Sequence, residues 1–327
     1  MTASTLSICA DGGAGIGAGH VMRSLALADA WRAAGGGVRW FAQSLAPRLV
    51  DLIRARGIAI DRLAPGHSYR PLIEFAGAQT DGWVELDGYH LGEGQAPLRR
   101  AGVRLLVVDD DARWPLYDCD VLLNQNPRAG RLQYNTTPDT TRLLGSSFAL
   151  LRNEFRRAGL ARRVAGRPVR QVLVSFGGDD AHGQAARVSA ILARSHPELT
   201  VTTASGFIAG EGSSDLSHLM AAADIAIVAA GTVCWELAHL GVPFIAMTVA
   251  DNQIDIARGV QEAGIGYSLG SVNDVDDRQL LAAIDRMIDD PNRDAMSARG
   301  QAMIDGEGGT RVVAVLHHAS TAGARRS

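Results

Sequence analysis

The chain has 327 residues, 46% of them hydrophobic, which is too long for one ordinary core and suits two domains of about 150 residues each. The formal net charge is −3, and acidic and basic residues alternate without a basic stripe, which argues against nucleic acid as a partner. The 3 cysteines are far apart and none belongs to a C-x-x-C pair, a pattern that indicates buried thiols in a reducing cytoplasm rather than disulfides or zinc.

The N-terminal residues do not show the basic segment and long apolar run of a signal peptide. The longest apolar stretch, Ala221–Gly231, contains Asp224 and falls well short of the about 20 residues that a membrane span requires. We therefore expect a cytoplasmic protein without a membrane span, either a monomer or a weak oligomer.

Short apolar runs alternate with helical patterns along the chain, which is typical of parallel sheets with crossover helices. Helices are predicted at about His20–Ala34 and Ala46–Arg56, and the first of them has one apolar face that includes Met22 and Leu25. The strands predicted in the first half are Thr5–Ala10, Val38–Ala42, Trp83–Leu86, Arg104–Asp109 and Val121–Leu123.

The arginine-rich stretch Arg152–Arg170 contains glycine and proline but little apolar periodicity, which is typical of a linker. We predict an N-terminal Rossmann-like domain over residues 1–155, a linker over 156–170 and a C-terminal Rossmann-like domain over 171–327. The last helix is a candidate to pack back on the first domain. One continuous doubly wound domain is the alternative, but a single sheet of so many strands is unusual. The elements predicted in the second half are strands Gln171–Phe176, Thr200–Ala204, Ile225–Val228 and Phe244–Thr248, and helices Val233–Leu240 and Gln279–Ile288.

A glycine-rich loop joins the first strand to the first helix over Ile8–Arg23. Its Gly13-x-Gly15-x-x-Ala18 spacing loosely fits a dinucleotide fingerprint, which also needs an acidic residue at the end of the second strand. That strand ends in Trp40-Phe41-Ala42-Gln43-Ser44, so a nicotinamide site is disfavoured.

His20 stands where this loop becomes a helix. The positive end of the helix dipole disfavours an imidazolium there and keeps the ring available as a neutral base. The alternative is a histidine that caps the helix or fills the loop. Because ligands bind outside the carboxyl ends of strands in open α/β sheets, we favour the functional interpretation.

Two further turns in the second half are typical of phosphate binding. Gly177 and Gly178 follow a buried strand, and Gly231-Thr232 precede a helix whose free backbone amides form a candidate diphosphate cradle. Thr232 is predicted to cap that helix, and Glu236 is a candidate acceptor for ribose hydroxyls. A plain turn at the glycines and an exposed helix carboxylate at Glu236 remain the alternatives.

Other chemistry finds less support in the sequence. Asp109, Asp110 and Asp111 cluster at a strand end, but without a paired histidine we interpret them as a solvated terminus and predict no metal site. The chain contains no G-x-S-x-G elbow and no H-E-x-x-H motif, so serine and zinc hydrolases are unsupported.

Taken in order, several segments resemble one known family over nearly the whole chain. They are GIGAGHVMRSLALADAW, DGYHLG, LLVVDDDARWPLYDCDVLLNQN, LLGSSFALLRNEF, VLVSFGGDD, AAGTVCWELAHLGVPFIAMTVADNQ and DGEGGTRVV. The resemblance is to the UDP-2,4-diacetamido-2,4,6-trideoxy-β-L-altropyranose hydrolases of pseudaminic acid biosynthesis, which are similar to the lipid II N-acetylglucosaminyltransferase. It implies the GT-B fold, two Rossmann-like α/β domains with parallel sheets facing across a cleft, and an activity that needs neither metal nor cofactor.

Position by position, the resemblance implies that His20 is the general base and that Tyr89 lines the sugar side. Two departures concern the sugar side: the first strand ends Cys9-Ala10-Asp11 without the family's arginine, and Gly88 replaces a histidine or serine. They leave the sugar's identity open. The substrate-binding residues that we carry over, or add from the loops above, are Asp11, Gly17, Gly19, Arg23, Gly177, Gly178, Gly231, Thr232, Glu236, Asn252 and Gln253.

These observations predict a nucleotide-sugar hydrolase that cleaves the anomeric C–O bond of a UDP-sugar with water, inverts the configuration and releases UDP. A GT-B glycosyltransferase that moves the sugar to an acceptor hydroxyl is the alternative, because fold alone cannot separate the two. A non-catalytic nucleotide-sugar sensor is a third hypothesis, which the intact His20 and Glu236 disfavour.

Overall fold

The structure is a computed structural model that describes residues 4–13, 15–64, 69–79, 81–157, 166–177, 180, 183–204 and 213–323. The chain divides into two compact units. The first comprises residues 1–152 and 307–327, and the second comprises residues 153–306. Most of the predicted linker, residues 158–165, lies outside the described residues.

The first unit is built on a 7-stranded sheet in which every pair of neighbouring strands is parallel. Its strands are β1 (Thr5–Ala10), β2 (Gly37–Ala42), β3 (Ala59–Arg62), β4 (Trp83–Asp87), β5 (Arg104–Val108), β6 (Val121–Asn124) and β7 (Thr141–Leu144). Their spatial order is β3-β2-β1-β4-β5-β6-β7, so β1 lies beside β4 at the centre. The helices are α1 (Gly19–Ala33), α2 (Pro47–Ala55), α3 (Arg70–Gly77), α4 (Gln95–Arg100) and, from the end of the chain, α12 (Gly308–Gly323).

Helix α1 is buried on nearly all sides, whereas the sequence predicted one apolar face. The reason is α12, which packs along α1: His317 stacks on Trp31 with ring centroids 4.7 Å apart. Residue Met22, assigned to the predicted apolar face, is only half-buried. Packing from the end of the chain therefore buries α1 residues that local periodicity assigned to solvent.

The second unit holds a 5-stranded parallel sheet in the order β12-β11-β10-β8-β9. Its core consists of apolar side chains from β8, β10 and β11 and from the helices that cover them. The strands are β8 (Gln171–Ser175), β9 (Thr200–Thr203), β10 (Ile225–Ala229), β11 (Phe244–Thr248) and β12 (Gly266–Ser271). The helices are α5 (Asn153–Arg157), α6 (Gln184–Ser195), α7 (Ser213–Ala222), α8 (Val233–Leu240), α9 (Ile254–Ala263), α10 (Asp277–Asp289) and α11 (Arg293–Met303).

All nine predicted strands are present, each within one residue of its predicted ends. The prediction missed β3, β7 and β12, which lie at sheet edges and are partly exposed, so they lack the continuous apolar run of a central parallel strand. Short 3₁₀ helices occur at Leu91–Gly94, Ala129–Arg131, Ser146–Phe148 and Asp251–Gln253. Within the described ranges, no helix is both long enough and apolar enough to cross a membrane.

Candidate functional site

The polar residues of the first unit gather where β1, β4, β5 and β6 end. These four strands are neighbours in a parallel sheet, so their carboxyl ends meet at one edge. The residues there come from segments that are far apart in sequence: Asp11 and His20, then Asp87–His90, then Asp109–Arg113, then Asn126.

The glycine loop forms a tight turn before α1. The backbone amide of Gly13 donates to the carbonyl of Gly17, and the amide of Gly17 donates to the carbonyl of Gly13, at 3.0 and 2.8 Å. Gly17 has a φ of +81°, a conformation that favours glycine, and no atom would obstruct a Cβ there or at Gly19. Helix α1 begins at Gly19, so His20 lies in its first turn, as the sequence predicted.

His20 is paired with Asp87 at the end of β4. The Nδ1 atom of His20 lies 2.7 Å from Oδ1 of Asp87, which is completely buried. Because an ionised carboxylate only accepts hydrogen bonds, Nδ1 carries a proton and donates, so the neutral form of the ring has its lone pair on Nε2. Within the described residues no hydrogen bond to Nε2 is found, and the ring is 6% exposed. This is the tautomer that a general base requires.

Arg23 lies one helical turn after His20 and binds two carboxylates. Its Nε and Nη2 atoms donate to Asp87 at 2.6 and 2.7 Å, and Nη1 donates to both oxygens of Asp110 at 2.9 and 2.7 Å. Asp110 also accepts a 2.8 Å hydrogen bond from the side chain of Asn126. Each nitrogen of Arg23 bonds a carboxylate, so this side chain organises the site. The substrate contact assigned to it from the sequence stays a prediction.

Asp109 and Asp110, directly after β5, are not the solvated strand end that we predicted, whereas Asp111 is exposed. Asp109 is buried, and its carboxylate accepts from the backbone amides of Asp111 and Ala112 at 3.1 and 2.7 Å. Asp110 is bound to Arg23, and Asp111 pairs with Arg113. Sequence reasoning could not find the contact between Asp110 and Arg23, because these two residues are 87 positions apart.

Two buried carboxyl groups on β4, Asp87 and Glu85, have shifted pKa values. Burial alone would raise the pKa of Asp87, but the charges and hydrogen bonds of Arg23 and His20 hold this pKa well below its ordinary value. Two residues earlier on β4, burial and the neighbouring Asp87 raise the pKa of Glu85 to about 8. Ser24 donates a 2.9 Å hydrogen bond to Glu85. Asp87 is thus an anion at neutral pH, whereas Glu85 is largely protonated.

Tyr89 lies against His20, as expected for a residue of the same site. The two rings meet edge to face with centroids 4.8 Å apart. The guanidinium of Arg113 covers the Tyr89 ring, with its central carbon 4.1 Å from the ring centroid. The sequence did not predict this positive charge beside the ring that contacts His20.

Asp11 is paired with His90. The Nε2 atom of His90 lies 2.7 Å from one carboxylate oxygen of Asp11, and the backbone amides of Gln43 and Ser44 donate to the other. Asp11, predicted to bind substrate, therefore joins three segments of its own domain. His90 therefore binds the strand-end aspartate two residues after Cys9, the position at which the family's arginine is missing. This edge of the sheet holds two histidine–aspartate pairs.

In the second unit, the predicted phosphate turns follow β8 and β10, which are adjacent in the sheet. Gly177 has a φ of +87°, and a Cβ at Gly177 or Gly231 would meet only open space. Gly178 lies outside the described residues. The predicted cap is wrong: Thr232 has helical φ and ψ angles and makes no side-chain capping bond. Across the described chain, no acceptor is found for the backbone amides of Thr232 and Val233, so α8 begins with open donors.

Glu236 is buried at 7% exposure, which rules out the exposed helix carboxylate considered from the sequence. It lies in the first turn of α8, where the helix dipole favours a negative charge. Asn252 and Gln253 follow β11, the other neighbour of β10. Asn252 is exposed, whereas the side-chain oxygen of Gln253 accepts a 2.9 Å hydrogen bond from the amide of Val249 and holds its own loop.

Over the part of the chain that the structure describes, no group of three or more histidine, cysteine, aspartate or glutamate side chains is arranged to hold a metal ion.

Sequence reasoning named His20 and Tyr89 as site residues but overlooked Asp87. An acidic residue at the end of a buried parallel strand beside the glycine loop could have identified Asp87 as a site residue.

Comparison with solved structures identifies the architecture. The spinosyn rhamnosyltransferase SpnG complexed with thymidine diphosphate superposes with a TM-score of 0.65 at 15% identity, covering 95% of this chain and 99% of that one. The calicheamicin glycosyltransferase CalG4 gives a TM-score of 0.63 at 13% identity, covering 97% and 98% of the two chains. The fold is GT-B. This confirms the predicted fold class, and identities this low show the fold alone.

Sequence comparison finds similarity over only part of the chain. The spore coat polysaccharide biosynthesis protein SpsG of Bacillus subtilis (strain 168) is 32% identical over 107 residues, a stretch that covers 32% of each chain. The match thus spans about a third of that relative's length. No protein-family model matches the chain. The specific hydrolase family named from the motifs is not confirmed. The two solved structures compared above are glycosyltransferases.

Proposed function

We propose that this chain is a glycosyltransferase that moves a sugar from a nucleoside diphosphate to an acceptor hydroxyl. The observation that carries the proposal is the buried His20–Asp87 pair at the end of a glycine loop in a GT-B fold. The neighbouring glycosyltransferases, one of them bound to thymidine diphosphate, support transfer over hydrolysis. The name of SpsG supports a role with carbohydrate.

His20 acts as the general base. Its Nε2 atom takes the acceptor proton while the acceptor oxygen attacks the anomeric carbon, and the bond from that carbon to the diphosphate breaks. Asp87 holds the ring in the required tautomer and stabilises the imidazolium that forms, the function of the aspartate in a serine protease triad. A single displacement of this kind inverts the anomeric configuration.

The second unit binds the nucleotide. The open amides of Thr232 and Val233 at the start of α8 are suited to an anionic diphosphate, and the space beside Gly231 lets a phosphate approach the backbone. Glu236 is the candidate acceptor for ribose hydroxyls. A helix N-terminus can stabilise the departing diphosphate without a metal ion, so we expect activity to survive exhaustive treatment with EDTA.

Hydrolysis, the reaction that the motif resemblance implies, differs only in the acceptor. One observation favours it as the second candidate: His20, Asp87 and Asn126, which lie in three separate stretches of the chain, belong to resemblance motifs and meet in one cluster. Water in place of a hydroxyl acceptor would use the same base and the same leaving group.

The deciding experiment incubates the purified protein with UDP- and dTDP-sugars in ¹⁸O-labelled water, with and without a panel of hydroxyl acceptors. Transfer predicts a sugar–acceptor conjugate of inverted configuration and nucleoside diphosphate without label. Label on the anomeric hydroxyl of the free sugar would establish the hydrolase instead. Label in a nucleoside monophosphate or sugar phosphate would contradict both. In either reaction, His20→Ala should lower turnover by at least about 10²-fold and leave nucleotide affinity unchanged.

A further inference from the structure

The pair formed by His20 and Asp87 is one end of a longer buried chain of charges. Asn126 donates to Asp110, Asp110 binds Arg23, and Arg23 shares Asp87 with His20. The side chains of Arg23 and Asp110 are only 5% and 10% exposed, and that of Asp87 is completely buried. Interactions between charges with so little solvent contact are weakly screened.

The contact between Arg23 and His20 has an electrostatic consequence. Nη2 of Arg23 lies 3.1 Å from Nδ1 of His20, and both atoms donate to the same oxygen of Asp87. A guanidinium this close repels an imidazolium and competes with it for the carboxylate. By itself, therefore, Arg23 would oppose the proton uptake that a general base must perform.

Asp110 counteracts that repulsion. With a neutral His20, the group contains one positive charge on Arg23 and two negative charges on Asp87 and Asp110, a net charge of minus one. When His20 takes a proton, the group becomes neutral. Without Asp110 it would instead pass from neutral to positive in a buried place, which is unfavourable.

We propose that Arg23 and Asp110 are positioning residues that set how readily His20 takes up a proton, acting through the carboxylate of Asp87. Their significance for catalysis rests on the proposed function, but the coupling itself belongs to the unliganded protein. The charged or titratable groups at this edge of the sheet are Arg23 on α1, Glu85 and Asp87 on β4, Tyr89 and His90 after β4, Asp109, Asp110, Asp111 and Arg113 after β5, and Asp11 after β1.

The experiment is a pH titration of the His20 ring by nitrogen NMR in protein labelled at histidine, with the signal assigned by its loss in His20→Asn. Asp110→Asn should move the His20 midpoint down by about one pH unit, a tenfold weaker proton affinity. Arg23→Gln should move it up, because two carboxylates then face the ring. Asp110→Glu, which keeps the charge, should restore most of the wild-type midpoint.

The matched control is Asp61→Asn, which breaks an aspartate–arginine pair with Arg39 near the far edge of the same sheet and should leave the His20 midpoint unchanged. A midpoint that stays in place in Asp110→Asn, or a shift of the wrong sign in Arg23→Gln, would overturn the coupling. The opposite signs keep the test decisive if one of the two variants fails to fold.

Activity separates this coupling from the proposed function. If His20 is the base, the acidic limb of the pH–rate profile should move with the NMR midpoint in each variant. A limb that stays in place while the midpoint moves would establish the coupling and contradict the catalytic role of His20. A limb and midpoint that both stay in place would contradict the coupling alone.

Discussion

His20 and Arg23 donate to the same oxygen of Asp87, each at 2.7 Å. A histidine and an arginine, three residues apart on α1, thus share one buried carboxylate. The arrangement fixes the tautomer of His20 and places the ring next to a charge that changes its response to protonation.

Replacing the shared carboxylate should impair chemistry and spare binding. In Asp87→Asn, an amide can donate to Nδ1 of His20 and favour the tautomer that carries its proton on Nε2, which cannot act as a base. We expect turnover to fall by about 10²–10⁴-fold. Steady-state rates and nucleotide titration calorimetry measure the two effects, with Asp61→Asn as the control. A variant with near-wild-type turnover would remove Asp87 from the mechanism.

The buried Glu85 should make stability depend on pH. Its ordinary pKa of 4.5 is raised by burial to about 8, so between these values the unfolded chain releases a proton that the folded chain retains. The free energy of unfolding should therefore decrease as pH rises from about 4.5 to 8 and change little beyond that range. Glu85→Gln lacks this titrating carboxyl group. Its free energy of unfolding, relative to that of the wild type, should therefore rise by roughly 2–4 kcal/mol between pH 5 and pH 8.5. Urea unfolding at both pH values tests this, and an equal difference at both would contradict the assigned protonation.

A methyl group at Gly231 should block the phosphate without disturbing the fold. The added Cβ meets no protein atom, and Gly231 does not have a positive φ angle. Gly231→Ala should thus keep its melting temperature and lose at least about tenfold in affinity for UDP or dTDP, or 1.4 kcal/mol. Gly77→Ala, at an equally open position at the end of α3, is the control. Unchanged affinity would place the diphosphate elsewhere.

Glu236 should contribute to holding the ribose. Loss of a charged hydrogen-bonding partner costs about 1–3 kcal/mol, so Glu236→Ala should weaken nucleotide binding by that amount. Glu262→Ala, on the exposed surface of α9, controls for the loss of one negative charge from the same unit. Calorimetry on the two variants should show a reduced affinity only for the first. Equal affinities would give Glu236 a purely structural role in α8.

Several features could be predicted from the sequence by itself because they depend on neighbours along the chain. The alternation of apolar runs and helical patterns predicted nine of the twelve strands in the described residues, each within one residue of its ends. The glycine loop and the position of His20 in the first turn of α1 follow from local chemistry, since only glycine adopts such turns easily. The motifs also indicated the GT-B fold, which the solved structures confirm.

Only the tertiary structure decided the partners of His20. Asp87 lies 67 residues from His20, and Asp110 lies 87 residues from Arg23. They meet because β1 has β2 on one side and β4 on the other, and β5 lies beside β4. The burial of Glu236 and of α1 likewise depends on elements from elsewhere in the chain. Strand order in a parallel sheet is set by how crossover helices pack across its faces, and local periodicity does not contain that information.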